Sequence, residues 1–310
     1  MKKTQLYILT GFLGSGKTTL LLGMMDHLAP KTVGVIQNEF GKVNIDGEII
    51  GKDGIEITEI SRGSIFCSCL KLSFVKALKE MGEKALDYLI VESSGLGDPS
   101  NVEEILDAVG AVSDNTLEFQ GVICAVDAVN FRDQLKDMET VARQLKHCNI
   151  AVITKADLVK KEDVEILKKE IRAINPICRL VKADQGKMDY DFFQEDLRRL
   201  KWAETEATTN APETKPKTLF MNVEAPVKEA ELVKFLEAVR DDCLRIKGFV
   251  MMEGKGLVQV DVVGKRIDLA KAEGEKSTQL VFISKIGPAL IKTLLAAQKA
   301  FVTTEMKLKN

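Results

Sequence analysis

The hydrophobic and polar residues of this chain fall into two alternating patterns that predict an α/β fold. Short apolar runs, typical of buried parallel strands, alternate with longer stretches in which apolar residues recur with helical spacing. In the first part of the chain, strands are predicted at 5–9, 32–37, 55–60, 87–91, 119–126, 150–154 and 177–181. Helices are predicted at 17–28, 72–84, 101–109, 131–147 and 161–174, with a further helical piece at 190–200. This alternation predicts a largely parallel sheet with helices on both faces.

A change of pattern near residue 204 predicts a second domain. The segment 204–217, ETEATTNAPETKPK, has almost no apolar residues, two prolines and several threonines, which is typical of a linker. Beyond it, strands are predicted at 219–223, 248–252, 257–263 and 280–284, and helices at 229–239 and 288–301. Because several of these strands follow one another without a helix, we expect a small α+β domain with a mostly antiparallel sheet. The predicted organisation is a first domain over 1–203, a linker over 204–217 and a second domain over 218–310.

The composition is that of a globular chain without a dominant charge. Of 310 residues, 45% are hydrophobic, which is enough for packed cores, and the length suits about two domains. Lys and Arg number 44 against 46 Asp and Glu, so no basic field indicates nucleic acid or an anionic membrane as a partner. No apolar run has the length of a bilayer span, and a cytoplasmic location is the default expectation.

The six cysteines form no regular framework, so we expect reduced thiols rather than disulfides. Four of them are predicted to be small residues of the core: Cys124, Cys148, Cys178 and Cys243. Cys67 and Cys69 differ from these four because they lie one residue apart, in the segment CSC. They are candidates for a metal site, which the other motifs of the chain help to interpret.

The segment Leu9 to Thr19, LTGFLGSGKTT, places the spacing Gly-x-x-x-x-Gly-Lys-Thr between a predicted strand and a predicted helix. Glycines allow backbone conformations closed to residues with a Cβ, so successive N–H groups can surround phosphate oxygens. Lys17 would then reach the β and γ phosphates of a nucleoside triphosphate, and the Thr18 hydroxyl is a hard oxygen ligand suited to Mg²⁺. We therefore predict a phosphate-binding loop formed by Gly11, Gly14, Ser15, Gly16, Lys17, Thr18 and Thr19.

A second motif, DYLIVESSG, places Glu92 directly after a predicted strand. In a parallel sheet this acid would lie beside the phosphate-binding loop, where together with Thr18 it can hold Mg²⁺ or polarise the attacking water. Gly95 follows three residues later, and its N–H can approach the γ-phosphate, so that the loop senses hydrolysis. The predicted catalytic residues are therefore Lys17, Glu92 and Gly95.

A third motif, TKADL, follows the predicted strand 150–154 and favours guanine as the base. The Asp157 carboxylate can accept from the ring N–H and the exocyclic amine of guanine, while the Lys155 stem covers the ring. We expect the carboxylate to be buried, so adenine would leave it unsatisfied at a cost of about 3 kcal/mol or more, roughly a hundredfold preference for GTP. The predicted base-binding residues are Thr154, Lys155 and Asp157, with Thr154 in place of the more usual asparagine.

Further motifs extend along the chain: NEFG followed by Ile45 and Asp46, ESSG followed by Gly97, Asp98 and Pro99, a strand ending in Val126 and Asp127, Gln144, and RIKGFV at Arg245 to Val250. With GFLGSGKTTL and TKADL, this set resembles the CobW family of GTPases, which is related to the nickel-insertion factors HypB and UreG. The resemblance covers nearly the whole chain, including the C-terminal domain. It implies a P-loop NTPase fold of the SIMIBI type and a metallochaperone whose nucleotide state is coupled to holding or releasing a transition metal.

The metal motif of that family is Gly-Cys-x-Cys-Cys, and this chain departs from it. Aligned on Gly63, the first two cysteine positions hold Ser64 and Phe66. Only Cys67 matches, and Cys69 lies two residues beyond it. The three-thiolate site that the family usually builds is therefore not available here.

Two thiolates one residue apart can bind one ion only if the backbone turns, because in a flat strand their β-carbons stay too far apart for one tetrahedral centre. Glu39, in NEFG, is the leading candidate for a further ligand, although it could instead serve Mg²⁺. Thiolate softness favours Zn²⁺, Co²⁺ or a related late metal. The alternative is that Cys67 and Cys69 are packed thiols that bind no metal.

The resemblance implies a client metalloprotein, or a protein linked to cobalamin and corrinoid metabolism, as partner. It also suggests a nucleotide-dependent homodimer and a GTP hydrolysis that is slow without partner or metal. Two other functions stay open. One is a GTP-driven switch that acts on a client through the C-terminal domain without metal, and the other is a small-molecule kinase.

Overall fold

The computed structural model describes residues 3–39, 55–61, 71–112, 116–207, 216–274 and 276–309. The chain forms two compact units, Met1–Thr214 and Lys215–Asn310. The predicted linker begins at residue 204, whereas the first residues of that segment are bound to the first unit. The backbone N–H of Glu206 donates to the Ser100 carbonyl at 3.2 Å, and Lys146 Nζ lies 2.6 Å from Glu206 Oε1. Ionic and backbone contacts, rather than apolar burial, attach this polar segment.

The first unit is built on a seven-stranded sheet whose strand order is β3-β2-β4-β1-β5-β6-β7. The strands are β1 Thr4–Gly11, β2 Val33–Glu39, β3 Ile55–Ser61, β4 Tyr88–Glu92, β5 Leu117–Asp127, β6 Ile150–Thr154 and β7 Arg179–Lys182. Every neighbouring pair is parallel, which confirms the predicted α/β class. Parallel pairing brings the carboxyl ends of β1, β2, β4, β5 and β6 to one edge.

The helices of this unit are α1 Lys17–Leu28, α2 Lys71–Gly82, α3 Val102–Val112, α4 Phe131–Asp137, α5 Glu139–Lys146 and α6 Lys161–Ile174. Successive residues of β1, such as Tyr7 and Ile8, are fully buried, so the strand is covered on both faces. One face packs against α1 through Leu20, Leu21 and Met24. The continuous apolar runs of the sequence therefore reflect a sheet enclosed between layers.

Two helix predictions differ from the structure. The single helix predicted at 131–147 is divided into α4 and α5 by Met138, whose backbone is extended at φ −141° and ψ 114°. Residues 190–200 form two short 3-10 turns, Asp191–Gln194 and Leu197–Leu200, rather than a helix. Burial of Phe192 and Leu197 anchors these turns to the core beside α1, a tertiary effect that helical periodicity cannot show.

The second unit is a six-stranded antiparallel sheet in the order β11-β10-β9-β12-β8-β13. Its elements are β8 Thr218–Val223, α7 Glu229–Val239, β9 Cys243–Met252, β10 Gly256–Val263, β11 Arg266–Lys271, β12 Gln279–Ser284, α8 Leu290–Phe301 and β13 Met306–Lys309. Both helices join one core with the sheet, through residues such as Phe235 and Leu294. The two edge strands, β11 and β13, are charged and partly exposed, and their sequences gave no strand signal.

Among the helices that the structure describes, none combines the length and apolar character needed to cross a membrane.

Candidate functional site

The loop between β1 and α1 has the backbone conformation that its glycines make possible. Gly11, Gly14 and Gly16 have φ values of 139°, 74° and 88°, a region that residues with a Cβ rarely adopt. At Gly11 a Cβ would lie 2.5 Å from the carbonyl oxygen of Ala125 on β5. The loop is thus wrapped closely against the carboxyl edge of the sheet, with α1 beginning at Lys17.

Lys17 is folded back over this loop. Its Nζ donates to the carbonyl oxygen of Gly11 at 2.9 Å and to that of Phe12 at 3.3 Å. The side chain is only 8% exposed, and in the low-dielectric surroundings of the loop a cation interacts strongly with phosphate oxygens. The positive charge of Lys17 therefore lies inside the predicted phosphate-binding loop.

Thr18, Glu92 and Gln37 form a hydrogen-bonded group at the ends of α1, β4 and β2. Thr18 Oγ1 donates to Glu92 Oε1 at 3.2 Å, and Gln37 Nε2 donates to Glu92 Oε2 at 2.9 Å. Gln37 and Glu92 are direct partners in the β2–β4 register. The hydroxyl and carboxylate oxygens are ligands that Mg²⁺ prefers, so the residues present fit the ion that the sequence indicated.

The loop after β4 lies directly against the phosphate-binding loop. A Cβ on Gly95 would lie 2.8 Å from the backbone nitrogen and 2.9 Å from the Cα of Leu13, so only glycine fits without a shift. Ser93 Oγ donates to Thr10 Oγ1 at 3.1 Å. Gln144 of α5 donates to the carbonyl of Gly97 at 2.8 Å. Close contact with one loop and a hydrogen bond to α5 fix the position of the segment that follows Glu92.

The end of β6 is tied to the phosphate-binding loop by two side chains. Thr154 Oγ1 donates to the carbonyl of Ser15 at 2.8 Å, and Lys155 Nζ donates to the carbonyl of Gly14 at 2.7 Å. Lys155 also forms an ion pair with the fully buried Asp127 at 2.7 Å. Thr154 and Lys155 therefore support the loop, a role that the sequence motif did not reveal.

Asp157 lies three residues beyond Thr154 in a 3-10 turn, Ala156–Leu158, and its side chain is exposed. The turn begins at Lys155, whose φ of 55° is left-handed. The bonds from Lys155 to Gly14 and Asp127 hold this unusual residue in place. Asp157 therefore lies on a turn that begins at a residue bound to the loop, and its carboxylate is exposed to solvent, so the prediction of a buried carboxylate is wrong.

The predicted transition-metal ligands lie largely outside the described residues. Glu39 is the last residue of β2 and is paired with Ser61 of β3, but its side chain is not described, and neither are Cys67 and Cys69. Among the residues that the structure describes, no group of three or more His, Cys, Asp or Glu side chains is arranged to hold a metal ion. The assignment of Cys67 and Cys69 stays a prediction.

The four remaining cysteines are buried and free, as predicted. Burial raises the pKa of the Cys243 thiol to about 12 and also raises that of Cys148. Both thiols are therefore protonated at neutral pH and unsuited to metal binding. This agrees with their expected role as core residues.

A charged cluster connects the loop after β4 to residues 204–207. Local sequence patterns did not indicate it. Arg143 of α5 donates to Asp98 Oδ2 at 2.8 Å, to Ser100 Oγ at 3.1 Å and to the carbonyl of Ala207 at 2.6 Å. Asp98 is fully buried. The only sequence signal was the presence of Asp98 in a motif, because its ion-pair partner Arg143 lies 45 residues away. The cluster positions the segment that contains Gly95.

Glu206 completes this cluster by accepting from Lys146 Nζ at 2.6 Å and from His147 Nε2 at 2.8 Å. Hydrogen bonds from Lys146 and His147, with the Arg143 charge, lower the pKa of Glu206 to about 2. Burial lowers the pKa of His147, so its ring is largely neutral at pH 7. Segment 204–207 is therefore held by an ionised carboxylate.

The pKa of Glu206 predicts a specific pH dependence of stability. A carboxyl whose folded pKa is depressed stabilises the fold above its unfolded value of 4.5, and this contribution is lost as pH falls toward about 2. We expect Glu206→Gln to lower the midpoint of thermal unfolding at pH 7, with the difference from wild type shrinking below pH 4.5. Glu204→Gln is the control, because that side chain is 94% exposed. A difference that stays constant from pH 7 to pH 3 would contradict the assignment.

Comparison with known proteins places these observations in a family. Residues 5–182 match the family model described as CobW/HypB/UreG, nucleotide-binding domain, and residues 217–298 match the cobalamin synthesis protein cobW C-terminal domain. The zinc chaperone CobW of Pseudomonas aeruginosa is 29% identical, in an alignment that covers 92% of this chain and 88% of that protein. The zinc chaperone YjiA of Escherichia coli K12 is 26% identical over 80% of this chain and 82% of its own.

Among solved structures, the Zn(II)-bound YjiA GTPase from E. coli aligns with 97% of this chain and 99% of its own, at 22% identity and a TM-score of 0.46. The family models carry the assignment, since the first of them alone spans more than half of the chain. The matched range includes the phosphate-binding loop, Glu92 and the end of β6 described above. The chain therefore belongs to the CobW/HypB/UreG family of nucleotide-binding proteins and carries the CobW C-terminal domain.

Proposed function

We propose that this protein is a CobW-type GTPase that couples GTP hydrolysis to the delivery of a transition metal, with zinc as the first candidate. The observation that carries the GTPase part is the group formed by Lys17, Thr18 and Glu92. Lys17 and Thr18 come from the phosphate-binding loop and Glu92 from the adjacent strand, and hydrogen bonds join Thr18 to Glu92 and Lys17 to the loop. A cation, a hydroxyl and a carboxylate at the end of α1 are the groups that triphosphate hydrolysis requires.

Each residue has a role that follows from its contacts. The Lys17 ammonium group is bonded to two carbonyls of the loop, and it can replace these bonds with bonds to β and γ phosphate oxygens when nucleotide binds. The ionised Glu92 can accept a proton or a hydrogen bond from water beside the γ-phosphate. The residues Thr18 and Glu92 would hold Mg²⁺, which supplies neutralisation of the phosphate charge when bound. Gly95, in contact with Leu13, can transmit a change at the γ-phosphate to the segment bound by α5.

Selection of guanine is assigned to Asp157. Its exposed carboxylate, on a turn fixed to the loop by Lys155, can accept from two neighbouring N–H groups on the guanine edge. Adenine presents the N1 lone pair and a C–H group at that edge, so it offers the carboxylate no donor and repels it at N1. A preference for GTP over ATP would distinguish the proposed GTPase from a small-molecule kinase, for which ATP is the ordinary phosphate donor.

The base assignment predicts a change of specificity in Asp157→Asn. The substituted amide can donate to the second carbonyl of xanthine but repels the exocyclic amine of guanine. We expect GTP affinity to fall by about a hundredfold and affinity for xanthosine triphosphate to rise. Binding is measured by competition with a fluorescent GDP analogue, with Glu162→Gln, an exposed acid of α6, as control. Similar ATP and GTP affinities in wild type would contradict the proposal and favour the kinase.

The metal part of the proposal is supported by relatives that are named zinc chaperones and by Cys67 and Cys69 in the sequence. Thiolates favour Zn²⁺ and Co²⁺ over Mg²⁺, so the cargo site would be chemically distinct from the hydrolysis site. The recipient would be a client metalloprotein, and the family name leaves a protein of corrinoid metabolism as a further candidate. A homodimer that forms with nucleotide and a slow basal hydrolysis belong to the same proposal.

Anaerobic titration of the reduced protein with Co²⁺ tests this part. We expect thiolate-to-cobalt charge-transfer absorption whose intensity differs between the GDP form and a complex with a non-hydrolysable GTP analogue. The band should vanish in Cys67→Ser and remain in Cys243→Ser, which changes a buried thiol. Absence of the band in both nucleotide states would overturn the metal part and leave GTP hydrolysis untouched.

The second candidate is a GTP-driven switch without metal cargo. The observation that favours it is the sequence GSIFCSC, in which Ser64 and Phe66 occupy two of the three positions where the family motif has cysteine. In that case the charged cluster around Arg143 would still connect the nucleotide loop to residues 204–207. Client activation that survives the double change Cys67→Ser and Cys69→Ser would support the switch.

A further inference from the structure

Gln37 is a buried polar residue that none of the sequence motifs singled out. It lies on β2 in register with Glu92 of β4, and it is only 5% exposed. Its Nε2 donates to Glu92 Oε2 at 2.9 Å, while Thr18 donates to the other carboxylate oxygen at 3.2 Å. Each oxygen of the Glu92 carboxylate on β4 is therefore bound by a different element: one by Gln37 of β2, the other by Thr18 of α1. Such a two-sided arrangement determines the direction in which the carboxylate faces.

The orientation of the Gln37 amide follows from the chemistry of its partner. An ionised carboxylate only accepts hydrogen bonds, so the amide must present its NH₂ group to Glu92. The amide oxygen Oε1 therefore makes no hydrogen bond to Glu92. It is buried and has no hydrogen-bond partner among the described residues. Leaving a buried acceptor unpaired is unfavourable, and most buried polar side-chain atoms have a hydrogen-bond partner.

The site already described gives this atom a use. Glu92 is the predicted acceptor for the water that attacks the γ-phosphate, and Gln37 Oε1 belongs to the side chain bonded directly to it. A water held between an amide oxygen and a carboxylate would have both hydrogens directed to acceptors and its lone pairs free for attack. The unpaired acceptor is therefore explained if water occupies that position during hydrolysis.

We propose that Gln37 is a positioning residue for GTP hydrolysis: its Nε2 holds the Glu92 carboxylate in place, and its Oε1 accepts a hydrogen bond from the attacking water. This inference rests on the proposed GTPase function and adds a residue to it. The amide has a definite advantage over a carboxylate at this position. A second acid would share a proton with Glu92 or repel it, and either outcome disturbs the acceptor.

The first test replaces Gln37 with methionine, which keeps a similar volume and removes both hydrogen-bonding groups. We expect kcat for GTP to fall by about 10- to 100-fold, the range for loss of one positioned group, while KM changes by less than about threefold. Gln120→Met is the matched control, because Gln120 is also buried, on β5, outside the described nucleotide site. A kcat within twofold of wild type in Gln37→Met, or a loss confined to KM, would overturn the proposal.

The second test uses Gln37→Glu, which replaces NH₂ by oxygen with almost no change in shape. At low pH the introduced carboxyl can be protonated and donate to Glu92, so kcat should approach that of wild type. As pH rises the introduced carboxyl ionises and repels Glu92, so kcat should fall. Wild type and Gln37→Met should show no such descending limb. Parallel profiles for all three proteins would overturn the proposal.

A stability measurement separates failure of this inference from failure of the proposed function. In Gln37→Glu the shared proton raises one folded pKa, so its stabilising effect is present at low pH and lost as pH rises. The midpoint of thermal unfolding should therefore drop relative to wild type with increasing pH, even without nucleotide. All assays use Mg²⁺ buffer cleared of transition metals, since two adjacent carboxylates can bind them. If wild type hydrolyses no GTP, the function fails; if the midpoints stay parallel, the Gln37–Glu92 assignment fails.

Discussion

Lys17→Met is expected to lower GTP affinity by about a hundredfold or more and to remove measurable hydrolysis, since each charged hydrogen bond from Lys17 to a phosphate oxygen would contribute about 1.5–3 kcal/mol. Methionine keeps the length of the aliphatic stem, so packing beneath the loop is largely preserved. In the structure the amine is bonded to the carbonyls of Gly11 and Phe12, within the turn that would surround phosphate. The change therefore removes a pre-positioned cation and little else.

The Lys17 prediction is checked by titration with a fluorescent GTP analogue and by steady-state phosphate release. Lys160→Met is the control, because Lys160 is an exposed residue that precedes α6. The circular dichroism spectrum and the thermal midpoint of Lys17→Met should remain close to wild type. A GTP affinity within threefold of wild type would show that the loop does not bind triphosphate in the predicted manner.

Gly248→Ala is expected to destabilise the C-terminal domain by about 3 kcal/mol or more, because overpacking against rigid backbone leaves no side chain to move aside. Gly248 lies on β9 between β10 and β12. A Cβ there would lie 1.9 Å from the carbonyl oxygen of Gln279 and 2.9 Å from the Cα of Leu280. Relief of that overlap requires β9 and β12 to separate at the centre of the sheet.

The effect is measured on the full chain by hydrogen exchange of peptides from β9 and β12. Exchange there should accelerate strongly, whereas peptides from β1 and β4 of the first unit should change little. Gly254→Ala is the matched control, since a Cβ at Gly254 meets nothing within 4 Å and carries only the strain of φ 70°, about 1 kcal/mol. Equal exchange in the two variants would contradict the overlap argument.

Local sequence alone determined the features that depend on residues close together in the chain, such as the phosphate-binding loop and the alternation of strands and helices. The glycines at 11, 14 and 16 permit the backbone of the phosphate-binding loop by themselves, because their φ values depend on the absence of a Cβ. Alternation of apolar strands with helical segments predicted the parallel sheet, and the family motifs predicted both matched domains. The placement of Glu92 beside Thr18 also followed, since parallel strands end at one edge.

Only the tertiary structure decided which side chains distant in sequence become hydrogen-bond partners. Thr154 belonged to a base-binding motif, yet its hydroxyl supports the carbonyl of Ser15. Gln37 carried no motif, yet strand register places it against Glu92, 55 residues away. The ion pair of Asp98 with Arg143 on α5, and the bond from Arg143 to the carbonyl of Ala207, were equally hidden. Periodicity records which face of an element is buried, whereas hydrogen-bond partners depend on register and helix direction, which the whole fold sets.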